Sequence, residues 1–165
     1  LDKIEIRSLI IAPTRELCVQ VHSVISHLTK GLSLKSCALF RGVDQAEQVK
    51  QLREKVDIVV ATPGRLLDLH EQKLLKLSTI ELLVHDEADK MLGMGFMEEI
   101  LEIISKLPQK KQSLLFSATM PASIESFAMK VLQKPAKVEV THVASTPQKL
   151  EQKLIYCHEN HKFQL

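Results

Sequence analysis

The chain lacks the patterns that mark membrane spans, disulfide frameworks and zinc sites. No apolar run among its 165 residues reaches the roughly 18 residues needed to cross a bilayer, and no signal-peptide pattern opens the sequence. Its three cysteines are far apart and form no CxxC pair, so they support neither a disulfide framework nor a zinc knuckle and are predicted to be small core residues. The seven histidines show no metal-ligand spacing either. These absences favour a protein of a reducing compartment that binds no membrane.

Net charge and aromatic content limit how the chain can bind an anionic partner. The formal net charge is only +2, too small to indicate nucleic acid by itself, so any anionic partner must be met by local basic groups. Aromatic residues make up 4% of the chain, so stacking on bases is not expected to dominate, and contacts would go to phosphate and sugar. The length and an apolar content of 45% are typical of one globular domain.

Short apolar runs alternate with helical patterns along the chain. The runs are apolar at consecutive rather than alternate positions, which is typical of strands covered on both faces. Repeated strand–helix–strand units predict an α/β fold, a doubly wound and mostly parallel sheet. Strands are predicted over residues 7–12, 36–40, 57–61, 81–86, 113–118 and 137–140, and helices over 17–28, 46–54, 98–107 and 122–132.

Polar segments follow five of the predicted strands, at their carboxyl ends. In a doubly wound sheet, ligands bind beyond these ends. One polar loop there is ordinary, but five in one chain predict a functional face. The segments are "PTRE" (13–16), "RG" (41–42), "TPGR" (62–65), "DEAD" (86–89) and "SAT" (117–119).

Three acids end the fourth predicted strand, and two interpretations are open for them. They could form a solvated turn, or Asp86 could hold Mg²⁺ directly or through water while Glu87 orients or deprotonates an attacking water. Ser117 and Thr119 end the next strand and could hydrogen-bond back to Asp86 or Asp89. Alternatively, they cap the helix that follows them.

Two arginines occupy equivalent places, each beside Pro and Thr just past a strand end. A helix start with free N–H groups, a hydroxyl and a guanidinium suits phosphate oxygens, and Gly64 would let a ligand approach the backbone closely. Two copies on one sheet face favour a track for a nucleic-acid backbone. The alternative is that the threonines only cap helices, while Arg15 and Arg65 pair with Glu16 and Asp68.

Four motifs taken in order identify a family resemblance over nearly the whole chain. "APTREL" (12–17), "TPGRLLD" (62–68), "VHDEAD" (84–89) and "SAT" (117–119) resemble the first RecA-like domain of DEAD-box ATP-dependent RNA helicases, closest to the bacterial RhlE-like branch. The resemblance implies a RecA-like fold of the P-loop NTPase type, with ATP and Mg²⁺ as cofactors. It also implies RNA bound without sequence preference and a second RecA-like domain. The compartment would be the cytoplasm in a bacterium, and the nucleus, nucleolus or cytoplasm in a eukaryote.

The resemblance also assigns roles to individual residues. Asp86 would coordinate the Mg²⁺ of ATP through water, and Glu87 would position the hydrolytic water. Asp89, Ser117 and Thr119 would couple ATP hydrolysis to strand separation. The RNA backbone would be lined by Pro13, Thr14, Arg15, Gly42, Thr62, Pro63, Gly64 and Arg65.

Several positions depart from the family pattern. Arg41-Gly42 stands where the family usually has a Gly pair, so that the added guanidinium could strengthen phosphate contact or crowd it. His85 replaces the usual Leu before the metal ligand. Lys90 and Gly93 replace the more usual Arg and Asp.

The largest departure is the absence of a GxxxxGK[ST] phosphate loop from the 165 residues. We expect residues 1–140 to be a RecA-like domain truncated at its N-terminus, and 141–165 to be a linker and the start of the second domain. The chain alone is then expected to be inactive as an ATPase. Alternatively, it is a catalytically dead RNA- or protein-binding module. In the resembled fold, the strand that leads into the phosphate loop lies beside the 113–118 strand, so its absence predicts an exposed edge and self-association.

Overall fold

The computed structural model describes residues 6–140 and Lys153, and within them short strands alternate with helices. The strands are β1 (Ser8–Ile11), β2 (Ser36–Leu39), β3 (Ile58–Ala61), β4 (Leu82–His85) and β5 (Gln112–Leu115). The helices are α1 (Arg15–Leu28), α2 (Gln45–Leu52), α3 (Pro63–Glu71), α4 (Ala88–Gly93), α5 (Met97–Ser105) and α6 (Ala122–Val131).

All five strands lie in one parallel sheet in the order β2-β3-β1-β4-β5. The prediction of a parallel α/β sheet with flanking helices is therefore confirmed. The four predicted helix ranges are present as α1, α2, α5 and α6, and the structure adds α3 and the six-residue α4, for which the sequence pattern gave no helix range. One strand prediction was wrong: residues 137–140 form no strand, because no neighbouring backbone among the described residues pairs with them. The predicted linker and second-domain start, 141–165, lie outside the described residues apart from Lys153.

Both faces of the sheet are covered, which explains the consecutive apolar residues of its strands. On one face, Ile10, Val60 and Phe40 pack with Cys18 of α1. On the other face, a larger core gathers alternate strand residues and the remaining helices. The expectation that cysteines lie in the core is confirmed for Cys18 and Cys37. Burial raises the pKa of both thiols to about 12, with Glu16 adding to the effect at Cys18, so neither is a reactive thiolate.

Strand β5 lies at the end of the sheet and is less buried than the strands inside it. It pairs with β4, from Leu82 opposite Gln112 to His85 opposite Leu115. On its other side a cavity of about 540 Å³ separates it from residues 131–136 and Val138. The next residue, Phe116, is 55% exposed. The predicted open edge therefore has the expected position in the described part of the sheet.

Candidate functional site

The predicted functional segments meet because the carboxyl ends of parallel strands lie at the same edge of the sheet. Two backbone hydrogen bonds fix the acidic segment there, between the strands on either side of β4. The Asp86 N–H donates to the Ile11 carbonyl oxygen at 3.0 Å, and the Ala88 N–H donates to the Phe116 carbonyl oxygen at 3.0 Å. The acids are therefore part of the sheet edge rather than a loose turn.

Asp86 and Glu87 lie in a tight turn between β4 and α4. Asp86 Oδ1 accepts a hydrogen bond from the Glu87 N–H at 3.0 Å. Glu87 has φ 51° and ψ 53°, in the left-handed region that non-glycine residues rarely occupy. Such a conformation costs on the order of 1–3 kcal/mol and persists only where the surroundings fix it. The Lys90 Nζ atom lies 3.2 Å from Glu87 Oε2. Lys90, which stands where the family usually has Arg, therefore forms an ion pair with the carboxylate that is expected to position the water.

The donor set fits a Mg²⁺ ion that shares its shell with phosphates rather than one enclosed by protein. Within the described residues, no three or more His, Cys, Asp or Glu side chains are grouped to hold a metal. Asp86 offers one carboxylate, whose Oδ2 accepts no hydrogen bond from the described residues. Mg²⁺ typically takes one or two carboxylates, keeps several waters and binds substrate phosphates, which this arrangement allows.

Asp89 connects the acidic segment to the loop after β5. Its Oδ2 accepts hydrogen bonds from the Thr119 N–H at 2.9 Å and the Thr119 hydroxyl at 2.7 Å. The Asp89 N–H donates to Ser117 Oγ at 3.2 Å, and that hydroxyl donates to the Thr119 carbonyl oxygen at 2.7 Å. Burial by itself would raise the pKa of Asp89, but the hydrogen bonds from Thr119 and the Lys90 N–H outweigh it and lower the pKa.

These contacts decide between the two interpretations of Ser117 and Thr119. Both residues contact Asp89, and neither hydrogen-bonds Asp86. The following helix, α6, has Pro121 at its N-cap and receives no side-chain cap hydrogen bond. The two side chains therefore join β4 to β5 instead of capping α6.

His85 is fully buried directly before the acids. Both ring nitrogens are buried without a hydrogen-bond partner among the described residues. The ring meets Phe127 edge-on, with 5.9 Å between centroids and 80° between planes. Burial, followed by the charge of Lys111, lowers the pKa of His85 to about 4, so the ring packs as a neutral core group.

The first arginine motif presents its guanidinium to the surface. Thr14 caps α1 by accepting the Leu17 N–H at 3.3 Å, and Pro13 is buried at the end of β1. Arg15 is exposed; its Nη1 lies 3.5 Å from the Gly42 carbonyl oxygen, and its guanidinium lies 5.3 Å from the centroid of the Phe40 ring. The cap interpretation of the threonine is thus confirmed, but Arg15 forms no ion pair with its neighbouring acid in the described structure.

The second arginine motif differs, because Arg65 is buried and bonded internally. Its side chain is 8% exposed, and Nη1 donates to Gln45 Oε1 and to Asp68 Oδ2, each at 3.1 Å. Its Nη2 donates to the Val43 carbonyl oxygen at 3.3 Å. The pKa of Asp68 is lowered first by a hydrogen bond from Gln72 and then by Arg65. Pairing with Asp68 is therefore confirmed, whereas contact of Arg65 with RNA stays a prediction.

The start of α3 has no side-chain cap. Pro63 occupies the first turn, and Thr62 makes no side-chain cap hydrogen bond. The first N–H groups of a helix have no partner within it, so this end remains able to bind an anion. A Cβ on Gly64 would lie 3.8 Å from Arg41 Cζ, which places the Arg41 guanidinium beside this helix start.

Gly42 lies where the two arginine-bearing segments approach each other. Its φ of 88° strains any residue with a side chain, and a Cβ there would lie 3.3 Å from Arg15 Nη1. The position therefore favours glycine, and the placement of Gly42 along RNA stays a prediction.

Three contacts at this edge of the sheet were not predicted from the sequence. They are the Lys90–Glu87 ion pair, the bonds that hold Arg65 to the 43–45 loop, and the placement of Arg41 beside Gly64. The i,i+3 spacing of Lys90 and Glu87 is the one sequence signal that could have revealed a contact. The other two depend on how the loop after β2 folds over α3.

Comparison with known proteins shows to which family the chain belongs. The family model for DEAD/DEAH box helicases matches residues 1–127. The chain is 41% identical over 162 residues to the DEAD-box ATP-dependent RNA helicase CshA of Streptococcus pneumoniae, covering 98% of this chain and 31% of that protein. It is 40% identical over 164 residues to the ATP-dependent RNA helicase DbpA of Bacillus subtilis, covering 99% of this chain and 34% of that protein. The chain thus spans about a third of the length of these curated relatives.

Solved structures agree with the fold. The yeast DEAD-box splicing factor Prp28 matches with a TM-score of 0.75 and 39% identity, over 79% of this chain and 31% of that one. A hypothetical ATP-dependent RNA helicase from Sulfolobus tokodaii matches with a TM-score of 0.74 and 38% identity, over 79% of this chain and 39% of that one. The finer resemblance to the RhlE-like branch stays a prediction.

Within residues 6–140, no helix combines the length and apolarity that crossing a bilayer requires.

The strand-end motifs, the parallel sheet that brings them to one edge and the family match over residues 1–127 lead to one conclusion. The chain belongs to the DEAD/DEAH box helicase family.

Proposed function

We propose that the protein carrying this chain is an ATP-dependent RNA helicase, and that the chain contributes its catalytic acids and part of its RNA-binding surface. The observation that carries this proposal is the double hydrogen bond between Thr119 and Asp89, which connects the acids after β4 to the loop after β5. Relatives that are about 40% identical over nearly the whole chain are named ATP-dependent RNA helicases.

The ATP side of the proposed reaction uses the acids after β4. Asp86 would hold the water shell of Mg²⁺ through its open Oδ2, and the bound ion would neutralise charge that develops on the phosphates. Glu87 would orient the water that attacks the terminal phosphate, from a carboxylate that its left-handed backbone holds at the sheet edge. Lys90 would hold that carboxylate while no nucleotide is bound.

The RNA side would use the ends of β1, β2 and β3. The exposed guanidinium of Arg15 and the uncapped start of α3 would offer charge-assisted and backbone donors to phosphate oxygens. None of these donors reads a base edge, so binding would be independent of sequence. We propose as the RNA-facing set Pro13, Thr14, Arg15, Gly42, Thr62, Pro63, Gly64 and Arg65, the last through the loop that it holds.

Asp89, with its hydrogen-bond partners Ser117 and Thr119, would connect the acids that bind ATP to the surface that binds RNA.

A second RecA-like domain would complete both sites, with residues 1–140 as part of the first domain and 141–165 leading into the second. The alternative function, a catalytically dead RNA- or protein-binding module, is favoured only by the absence of a phosphate-loop sequence from the 165 residues. The cytoplasm is the expected compartment if the source is bacterial.

RNA-stimulated ATP hydrolysis by the full-length protein tests this proposal. Glu87→Gln keeps the size of the side chain but removes the carboxylate, and should reduce hydrolysis by at least about 10²-fold, as general-base catalysis typically contributes 10²–10⁴-fold. Glu81→Gln is the matched control, since Glu81 is an exposed acid at the opposite end of the same strand. Equal hydrolysis by the Glu87→Gln variant and the unmodified protein would rule out the proposed role of Glu87.

A further inference from the structure

Two guanidiniums lie near the start of α3, and only one of them is exposed to solvent. Arg65 is within the helix, but its side chain is 8% exposed and donates to Val43, Gln45 and Asp68. Releasing it toward a ligand would break the hydrogen bonds to all three acceptors. Arg65 is therefore less accessible to a phosphate than an exposed guanidinium would be.

Arg41 has the opposite properties. It is exposed, and its side chain makes no hydrogen bond with the described residues, although its charge, after the effects of Gln72 and Arg65, helps to lower the pKa of Asp68. Its Cζ and Nη2 lie 3.8 Å and 3.9 Å from the position that a Cβ on Gly64 would take. The guanidinium thus rests beside the backbone of the first turn of α3, where the helix N–H groups are uncapped.

Arg41 also lies next to the other exposed guanidinium of this surface. It directly precedes Gly42, whose carbonyl oxygen lies 3.5 Å from Arg15 Nη1. The bonds from Arg65 to Val43 and Gln45 hold the chain immediately after Gly42 against α3. Arg15 thus contacts the loop after β2 at Gly42, and Arg65 holds the same loop at Val43 and Gln45. The exposed guanidiniums of Arg15 and Arg41 therefore lie at a loop region whose backbone is held in place.

We infer that Arg41 binds a phosphate of the RNA backbone at the start of α3, beside the phosphate contact of Arg15. The inference rests on the proposed RNA-binding function and adds a residue to it. A planar guanidinium can donate two hydrogen bonds to one phosphate, so it strengthens binding without discriminating among bases. The alternative, that Arg41 crowds the track, predicts tighter RNA binding when the side chain is removed.

The salt dependence of RNA binding by the full-length protein tests the inference. Fluorescein-labelled oligouridylate and oligoadenylate serve as probes, with a non-hydrolysable ATP analogue present. Arg41→Ala should weaken both complexes equally and lower the slope of log affinity against log salt by roughly 0.7, the value for one phosphate contact on a single strand. Arg41→Lys should keep most of the slope, because the charge remains, but bind more weakly than the unmodified protein.

Arg53→Ala is the matched control, since it removes the same charged group from the exposed C-cap of α2. It should leave both the affinity and the slope unchanged. Because Arg41 and Arg53 are exposed, both variants should have the same melting temperature as the unmodified protein.

The outcomes separate this inference from the function it rests on. An unchanged slope for Arg41→Ala together with a reduced slope for Arg15→Ala overturns the role of Arg41 and leaves the RNA track in place. Tighter binding by Arg41→Ala, or a loss confined to one of the two oligonucleotides, also overturns it. Unchanged slopes for both variants, or no RNA binding by the unmodified protein, overturn the proposed RNA track as well.

Discussion

Thr119 donates two hydrogen bonds to the same carboxylate oxygen of Asp89, from its N–H at 2.9 Å and from its hydroxyl at 2.7 Å. The two residues are 30 positions apart in sequence, and they join the acidic segment after β4 to the loop after β5. A shift of Glu87 or Asp86 on nucleotide binding would be transmitted through α4 and Asp89 to this loop. Changing the contact between Thr119 and Asp89 therefore tests whether ATP hydrolysis can be uncoupled from RNA remodelling.

Thr119→Val in the full-length protein should separate the two activities. Valine keeps the shape and the backbone bond but removes the hydroxyl bond to Asp89, so the ratio of RNA strands displaced to ATP hydrolysed should fall while RNA-stimulated hydrolysis persists. Both rates are measured on one duplex substrate. Ser123→Ala, which removes an exposed hydroxyl from α6, serves as the control. A proportional loss of both rates would contradict the coupling role.

His85→Leu should stabilise the fold. The two buried ring nitrogens of His85 have no hydrogen-bond partner within residues 6–140, and each such group costs about 1–3 kcal/mol. Leucine keeps an apolar contact with Phe127 and removes that cost. The measurement is the urea midpoint of the unfolding transition at neutral pH. A lower midpoint for His85→Leu would mean that the ring has a polar partner in the complete protein.

His85→Leu should also make the free energy of unfolding depend less on pH in acidic solution. The pKa of His85 is about 4 in the fold, against 6.5 for an ordinary histidine, so the unfolded chain binds a proton more readily. The contribution of neutral His85 is therefore fully present above pH 6.5 and decreases as pH falls toward 4, by roughly 3 kcal/mol in all. His85→Leu should lose this decrease, whereas His27→Leu, at an exposed site, should keep it. Identical profiles for His85→Leu and the unmodified protein would exclude the burial effect.

The 165-residue chain by itself should not hydrolyse ATP measurably. Asp86 and Glu87 cannot replace the backbone N–H groups and the lysine of a phosphate loop, and the sequence contains no such loop. Phosphate release is measured with and without RNA, beside a Glu87→Gln version of the same chain. RNA-stimulated release above that control would show that the 165 residues suffice for catalysis.

The outer edge of β5 should make the 165-residue chain self-associate. An unpaired strand edge invites another strand, and Phe116 beside it is 55% exposed. Sedimentation should detect dimers or larger species. Ser113→Lys, which places a charge on the edge strand, should reduce them, whereas Ser23→Lys, on exposed α1 surface, should not. A stable monomer with strongly protected amides at residues 114–116 would mean that this edge is covered.

The sequence predicted the parts of the structure that depend on local pattern. The strands β1, β3 and β4 were found because their consecutive apolar residues reflect burial on both faces. The acids and Arg15 were correctly placed at one edge, because parallel strands end together. Residues 137–140 also contain two valines, but a strand requires a partner as well, and the sequence cannot show whether one is adjacent.

Arg65 shows a second limit of prediction. Its motif equals that of Arg15 in residue type and position, yet Arg65 is buried and Arg15 is exposed. The difference arises because the 43–45 loop folds over α3 and supplies acceptors for Arg65, whereas Arg15 lies over Phe40. Such partners come from tertiary structure, so equal motifs can place equal side chains differently.

Displacement of a labelled strand from a short RNA duplex by the full-length protein tests the central claim most directly. The claim is that the acids after β4 drive RNA remodelling at the same sheet edge. The unmodified protein and Glu81→Gln should displace the strand when ATP and Mg²⁺ are present, and Glu87→Gln should bind RNA with ATP but displace no strand. ATP-dependent displacement by Glu87→Gln at the unmodified rate, or no displacement by the unmodified protein, would contradict the claim.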